Sequence, residues 1–432
     1  MGRWRTGTAG LALGVWAALA AGCDGGKTHP PQPDVEDPNG PPEAPLPNGP
    51  LPGDTRWTVH TAVAGRQDVV AMAPDGSGGV LVLGTSESAS APATSKDPGG
   101  TSLTLARHDG NGQQLWSRSF TAEGEASDVD APLLAVSTSG DVFLAGRVTG
   151  QLRLAESVLT DSAFVAKLAP DGSPLWARAV EPVKALLPDR DGALLVAHGL
   201  EVERFDARGT RHWAREMPAM ASASLVALDA EGGLVMAGQK PTSPFESQGF
   251  IARLSPDGEV RWEQQVGPHA PGFTDVAFRP DGSFLFTGEL TGPLTWGKDS
   301  LRAPCAQGSC YRTVFVLAAD AYGEPLWAQV PDSEEESDAE GARLAMDPEG
   351  GAAVLWRHGC GSGLARLSPA GEVRWQSYYV TSPCRANTWL RAATFLPEGD
   401  VVGAGMFSGT RAFGSRTLTA DGTDVFLQRL VP

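Results

Sequence analysis

Seven of the twelve tryptophans, Trp57, Trp116, Trp176, Trp213, Trp262, Trp327 and Trp375, recur at intervals of 59, 60, 37, 49, 65 and 48 residues. Six of them come just after a glycine-containing turn such as Pro170-Asp171-Gly172 or Pro256-Asp257-Gly258. One bulky anchor per unit, with spacers of variable length, is the signature of a repeat array, in which each unit buries its apolar face against the next. Solenoids and propellers are the architectures that satisfy it. The 432 residues therefore read as one large repeat domain rather than two or three unrelated ones.

From about Arg56 onward each unit has the same order: an apolar run, a turn, a second apolar run ending in Gly, a variable loop, a third run, a turn and a Trp-bearing run. The second unit shows it well, with Leu133 to Val136, the turn Ser139-Gly140-Asp141, Val142 to Gly146, then Phe164 to Leu168, the turn Asp171-Gly172, and Leu175 to Arg178. Short β-rich runs bounded by Gly, Pro and Asp are strands joined by tight turns, four per unit. Four antiparallel strands make one propeller blade. The two ends complement each other. At the N-terminal end only one strand, Thr55 to His60, carries its tryptophan without three preceding strands, and only three follow Trp375, namely Leu390 to Leu396, Val401 to Ala404 and Val425 to Leu430. The expected fold is all-β, a seven-bladed β-propeller closed by an N-terminal strand completing the last blade, which leaves no free sheet edge.

The N-terminus carries Arg3 and Arg5, the apolar run Leu11 to Ala20, and Ala21-Gly22-Cys23. The run is too short to span a membrane and reads as a signal peptide over residues 1–22. Ala18-Leu19-Ala20 offers an ordinary cleavage site, whereas Leu19-Ala20-Ala21-Gly22-Cys23 resembles a bacterial lipobox. Ordinary cleavage would leave five cysteines and an unpaired thiol, while lipidation of Cys23 leaves Cys305, Cys310, Cys360 and Cys384 for two disulfides. The lipoprotein reading is favoured. The resemblance implies a diacylglyceryl thioether and an N-terminal palmitate-like acyl chain on Cys23, enough hydrocarbon for stable anchoring. Asp24 resembles the inner-membrane retention signal of enteric bacteria, but other groups sort differently, so the membrane is left open.

Residues 23–54 are dominated by Pro, Gly, Asp and Glu and bury no core; they read as a disordered tether between the lipid and a propeller at 55–432. With 51 acidic against 34 basic side chains the net charge is −17, and it becomes −19 once Arg3 and Arg5 are removed. Such a surface repels phosphate backbones, so nucleic acid is not an expected partner.

Asp161-Ser-Ala-Phe-Val-Ala-Lys-Leu-Ala-Pro-Asp-Gly-Ser-Pro-Leu-Trp176 and Gln248-Gly-Phe-Ile-Ala-Arg-Leu-Ser-Pro-Asp-Gly-Glu-Val-Arg-Trp262 resemble the seven-bladed propeller repeat of bacterial envelope proteins, and more distantly quinoprotein-like repeats. The resemblance implies fold and address, and no chemistry. The quinone dehydrogenases among these propellers hold their cofactor under a disulfide of adjacent cysteines, which this chain lacks; no cofactor is expected.

Asp75-Gly76, Asp171-Gly172, Asp191-Gly192, Asp257-Gly258 and Asp281-Gly282 read as hairpin turns, since they lack the alternating oxygen ligands of a calcium loop. The acidic run from Pro331 to Glu340, with Asp332, Glu334, Glu335, Glu336 and Asp338, is the candidate partner rim, together with the insertions Ser86 to Thr101 and Thr291 to Arg312. Cys305 and Cys310 would staple the second insertion, and Cys360 and Cys384 would form the other bridge; the spacing is a poor match to zinc. His60, His108, His198, His212, His269 and His358 are scattered and suggest no triad. Asp68, Asp128, Asp130 and Asp275, near the starts of inner strands, could converge on the channel as a carboxylate pair.

The expected role is that of a monomeric, non-enzymatic envelope lipoprotein whose propeller binds or scaffolds an unknown protein or glycan. It faces the periplasm, sits on the outer membrane or is exposed at the cell surface. The alternatives are a polysaccharide hydrolase or lyase at the channel mouth, and an outer-membrane assembly factor.

Overall fold

The computed structural model describes residues 51–61, 66–87, 101–189, 191–198, 201–216, 223–229, 231–243, 246–267, 271–306, 309–331, 338–359, 361–380 and 388–432. Residues 1–48 and 49–432 form separate units, and only the second contains described residues. The described residues form strands and turns, with no α-helix among them.

In chain order the strands are β1 (Thr55–Thr61), β2 (Arg66–Pro74), β3 (Val80–Glu87), β4 (Thr101–His108), β5 (Gln114–Val136), β6 (Val142–Leu154), β7 (Ser157–Thr160), β8 (Ala163–Leu168) and β9 (Pro174–Val180). There follow β10 (Ala185–Pro188), β11 (Leu194–His198), β12 (Glu201–Phe205), β13 (Arg211–Glu216), β14 (Ala223–Leu228), β15 (Leu234–Ser243), β16 (Glu246–Leu254) and β17 (Val260–Val266). Next come β18 (Gly272–Phe278), β19 (Phe284–Leu290), β20 (Leu294–Trp296), β21 (Asp299–Leu301), β22 (Cys305–Ala306), β23 (Ser309–Cys310), β24 (Thr313–Ala319) and β25 (Pro325–Gln329). The last are β26 (Ala339–Met346), β27 (Ala352–His358), β28 (Gly361–Leu367), β29 (Val373–Val380), β30 (Thr388–Phe395), β31 (Val401–Phe413) and β32 (Arg416–Leu430).

Antiparallel four-stranded sheets recur as β10-β11-β12-β13, β14-β15-β16-β17, β18-β19-β24-β25 and β26-β27-β28-β29. A larger sheet holds the rest. Within it β2, β3, β4 and the first half of β5 form one meander, and the second half of β5 begins another with β6, β8 and β9. The Trp116 and Leu133 runs, separate in the sequence, belong to one strand here: β5 runs unbroken for 23 residues and belongs to both meanders. β1 pairs antiparallel with β32, Trp57 opposite Arg429 and Thr61 opposite Val425, and so lies fourth beside β30, β31 and β32. First strands of successive sheets lie against one another: β2 beside β5 and β30, β10 beside β5 and β14, β18 beside β14 and β26, and β26 beside β30.

Burial explains the composition of the strands. β8 and β24 are buried along their whole length because neighbouring sheets cover both faces, whereas the fourth strand β13 is nearly all exposed. Phe284, Phe286 and Phe315 fill the space between two such sheets with Val235, Ile251 and Leu317.

Three devices recur from sheet to sheet. In the first, an indole of one sheet docks on a turn of the next: Nε1 of Trp57, Trp176, Trp262 and Trp327 donates to the carbonyls of Gly110, Ala207, Ala321 and Pro369 at 3.0, 3.1, 3.0 and 3.1 Å. The ring lies on the turn glycine, so a β-carbon at Gly209 would come within 2.5 Å of Trp176. That glycine also has φ of +75°, which L side chains rarely adopt. The glycine that precedes a tryptophan in the sequence receives the indole of the preceding sheet, Gly172 under Trp116 and Gly209 under Trp176.

In the second, the ladder partner of each tryptophan is a cation. Arg107, Lys167, Arg204, Arg253, Arg366 and Arg429 sit opposite Trp116, Trp176, Trp213, Trp262, Trp375 and Trp57. Each reaches an aspartate in the first hairpin of its sheet, namely Asp75, Asp141, Asp189, Asp229, Asp347 and Asp400, at 2.5–2.8 Å. The sheet containing β24 departs from this: Ala318 faces Trp327, and Arg279 from the first hairpin lies over the indole at 5.2 Å instead.

The third is a β-bulge in the first strand, at Val69/Ala71, Asp130/Leu133, Ala223/Leu225, Phe273/Asp275, Glu340/Arg343 and Leu390/Ala392. Bulging pushes a carbonyl toward the second strand, and a β-carbon at Gly146 would lie 1.9 Å from the Asp130 oxygen. The glycine that ends the second apolar run is there for this close approach. β10 is paired without a register shift, and its partner β11 ends in Ala197-His198 with no such glycine.

Insertions are more ordered than loops. Residues 291–303 fold back as the β20-β21 hairpin, burying Leu294 and Trp296, whose indole donates to the Ala318 carbonyl at 2.8 Å. Residues 147–160 and 408–419, read as loops from the sequence, are hairpin extensions of β6 with β7 and of β31 with β32.

Candidate functional site

The bulged first strands enclose a cavity of about 1010 Å³. Asp68 from β2, Asp130 from β5, Lys184 just before β10, Asp275 from β18, Arg343 from β26 and Arg391 from β30 bring charge to its wall, and β14 contributes the apolar stretch Leu225 to Leu228. Of the aspartates expected at the channel, Asp68, Asp130 and Asp275 line it; Asp128 pairs opposite Thr149 and is not among the lining residues.

The carboxylates differ in what holds them. Arg391 meets Asp68 side-on, Nε to Oδ1 and Nη2 to Oδ2 both at 3.3 Å. Asp275 accepts the backbone N–H groups of Val276 and Leu344 at 2.9 Å each, and burial pushes its pKa up despite them. Burial also raises Asp130, aided by the negative charges of Asp128 and Asp68. The cations Lys184, Arg343 and Arg391 were not singled out from the sequence. Arg391 is the residue that the β30 bulge leaves off the ladder, and Arg343 follows the β26 bulge and pairs with Leu355.

A charged network stands at the end of the β20–β23 insertion. Arg312 Nη1 lies 3.3 Å from Glu289 and 3.4 Å from Glu340, which in turn meets Arg357 at 3.3 Å. Arg312 N–H donates to Asp338 at 2.7 Å, and Ala339 N–H donates back to the Arg312 carbonyl at 2.8 Å. The insertion and the C-terminal end of the acidic run are thereby one surface. Cys305 and Cys310 form a disulfide across the β22-β23 pair. Asp332, Glu334, Glu335, Glu336, Cys23, Cys360, Cys384, His269 and most of the first insertion lie outside the described residues.

The expected hairpin aspartates serve their own turns, as at Asp171, whose carboxylate accepts the N–H and hydroxyl of Ser173 at 2.9 and 2.6 Å. His60, His198 and His212 each approach a carboxylate, Asp424, Glu203 and Asp206, at 3.5, 3.2 and 3.6 Å.

Four-stranded meanders stitched by tryptophan, with first strands lining a cavity, define a protein built of β-propeller repeats. Over residues 101–283, less than half of its length, the chain matches the family described as outer membrane protein assembly factor BamB, in keeping with a quinoprotein-like propeller. No curated protein matches it. Among solved structures it is similar to the WD40 domain of Neurospora crassa Pan2, at 13% identity and a TM-score of 0.48, covering 88% of this chain and 97% of that one. It is likewise similar to YCF48 bound to D1 peptide, at 10% identity and a TM-score of 0.47, covering 90% and 100%. A streptogramin B lyase gives 12% identity and a TM-score of 0.45, covering 86% and 97%.

Proposed function

We propose that this chain is a monomeric, lipid-anchored scaffold of the bacterial envelope that docks a protein partner and serves outer-membrane protein assembly. In this reading seven blades close into a ring with β1 as the fourth strand of the last. Cys23 carries the lipid, and residues 23–54 hold the ring away from the membrane. The succession of first-strand contacts and the β1–β32 pairing support the ring. The match to an assembly-factor family supports the address and the process. A glycan in place of the protein partner is the other binding outcome.

The observation that carries a binding role rather than catalysis is the commitment of the channel carboxylates. Asp68 is tied to Arg391, and Asp275 to two backbone donors. A glycoside-cleaving pair needs one carboxyl free to protonate and the other free to attack or to activate water. One observation favours the hydrolase or lyase reading: Asp130 has a raised pKa and faces the cavity.

The test is a photo-crosslinker placed at Asp338 in living cells, with Cys23→Ala in parallel. The scaffold reading expects a crosslink to one envelope protein, lost on deleting residues 332–337, and release of the Cys23→Ala chain into the soluble fraction. Release of sugar fragments from envelope polysaccharide, abolished by Asp130→Asn, would put the enzyme in its place.

A further inference from the structure

Next to the cavity, and sharing Asp275 with it, is a recess of about 180 Å³ lined by Val70, Met72, Leu134, Ala345 and Leu355 as well as that carboxylate. Arg343 and Arg391 border both spaces. The two arginines are not equivalent. Arg391 is neutralised by Asp68, whereas Arg343 is exposed and forms no ion pair with another described residue. Burial raises the pKa of Asp275 while the charge of Arg343 pulls it down, and that carboxylate already accepts two backbone N–H groups. Lys184, on the opposite stretch of wall, is exposed and likewise makes no ion pair with a described residue. Elsewhere in the repeats, cations on the third strands are spent on hairpin aspartates. A chain of net charge −17 thus keeps two cations without an ion-pair partner among the described residues in its central concavity, one of them at a recess that Asp275 also borders.

We propose that this site binds an organic carboxylate bearing a small apolar tail, the guanidinium of Arg343 taking the carboxylate and the recess taking the tail. The guanidinium fork suits a carboxylate. The recess has room for roughly six groups of about 30 Å³, enough for a branched aliphatic side chain or a short alkyl chain. Two sources offer this chemistry: the free C-terminal residue of a peptide and a short fatty acid. None of the residues lining the recess belongs to the acidic run at 331–340.

Calorimetric titration of the purified full chain at low salt tests it, with N-acetyl-leucine, N-acetyl-leucinamide and hexanoate as probes. At least one carboxylate is expected to bind, with the amide at least about tenfold weaker than N-acetyl-leucine. Tighter binding of N-acetyl-leucine points to a peptide terminus, and tighter binding of hexanoate to a fatty acid. Arg343→Gln should erase the preference for charge, and Ala345→Leu, which narrows the recess, should weaken the carboxylates while keeping that preference. Urea unfolding of both variants establishes that they are folded. The proposal is overturned if amide and acid bind alike, if neither carboxylate binds at millimolar concentration, or if Arg343→Gln leaves the preference intact.

Discussion

The indole N–H of Trp57 donates to the carbonyl of Gly110 at 3.0 Å, across 53 residues of chain, and the same oxygen accepts Nη1 of Arg429 at 2.6 Å. One turn carbonyl therefore gathers β1, the final strand β32 and the β4-β5 hairpin. Loss of that gathering should be measurable. Trp57→Phe removes the hydrogen bond and keeps most of the ring, so it should cost about 1 kcal/mol, whereas Trp57→Ala should cost about 3 kcal/mol or more. Urea unfolding compares the two, and equal costs would show that the hydrogen bond contributes most of the anchor.

Turn glycines are not interchangeable. Gly76 and Gly209 have φ of +76° and +75°, but a β-carbon at Gly76 meets nothing within 4 Å while one at Gly209 comes within 2.5 Å of Trp176. Gly76→Ala should lose only the backbone contribution, roughly 1 kcal/mol, and Gly209→Ala about 2 kcal/mol beyond it as the indole is displaced. Tryptophan fluorescence during unfolding reports both the stability and the displaced ring.

Asp347 is 4% exposed, pairs with Arg366 at 2.6 Å and accepts the N–H of Glu349 at 2.9 Å. Asp347→Ala leaves a guanidinium buried without its partner and should lower stability by about 3–5 kcal/mol. Replacing both members, Asp347→Ala with Arg366→Met, should recover a good part of that loss. A double-mutant cycle in urea decides it, and strict additivity would show the two residues to be uncoupled.

His108 is 4% exposed, and burial drives its pKa down to about 4, against a smaller upward pull from Asp109. The folded state thus refuses a proton that the unfolded chain accepts. The stability associated with the neutral ring is fully present above pH 6.5 and drains as pH falls from 6.5 toward 4. The loss should be on the order of 3 kcal/mol across that window. His108→Gln should flatten this part of the profile, and parallel slopes for the two proteins would rule out His108 as its source.

The repeat was legible because its anchor is rare and large: tryptophan and turn glycine mark the same contact in nearly every unit. Other parts were hidden for physical reasons. Residues 122–130 of β5 mix Glu, Gly, Ser and Asp and look like a loop, yet their backbone stays extended because β6 reaches past Gly146 to pair with them. The cation opposite the tryptophan stands in Ala-Arg-Leu or Ala-Lys-Leu at Lys167, Arg253 and Arg366, but its aspartate lies 15 to 32 residues away across the six pairs, a separation too variable to show as a pattern. Arg343 and Arg391 escaped notice because a bulge, which sequence periodicity does not register, decides that they face the cavity.

The bulges separate two kinds of position. Residues on the ladder are constrained by partners on both sides, while the extra residue of a bulge answers to no ladder partner. A change from Arg to Asp at position 391, which the bulge leaves off the ladder, would alter what the concavity offers to a visitor and leave the tryptophan stitching in register. Selection can therefore retune recognition in this chain one inward residue at a time, with the supporting lattice of strands held constant.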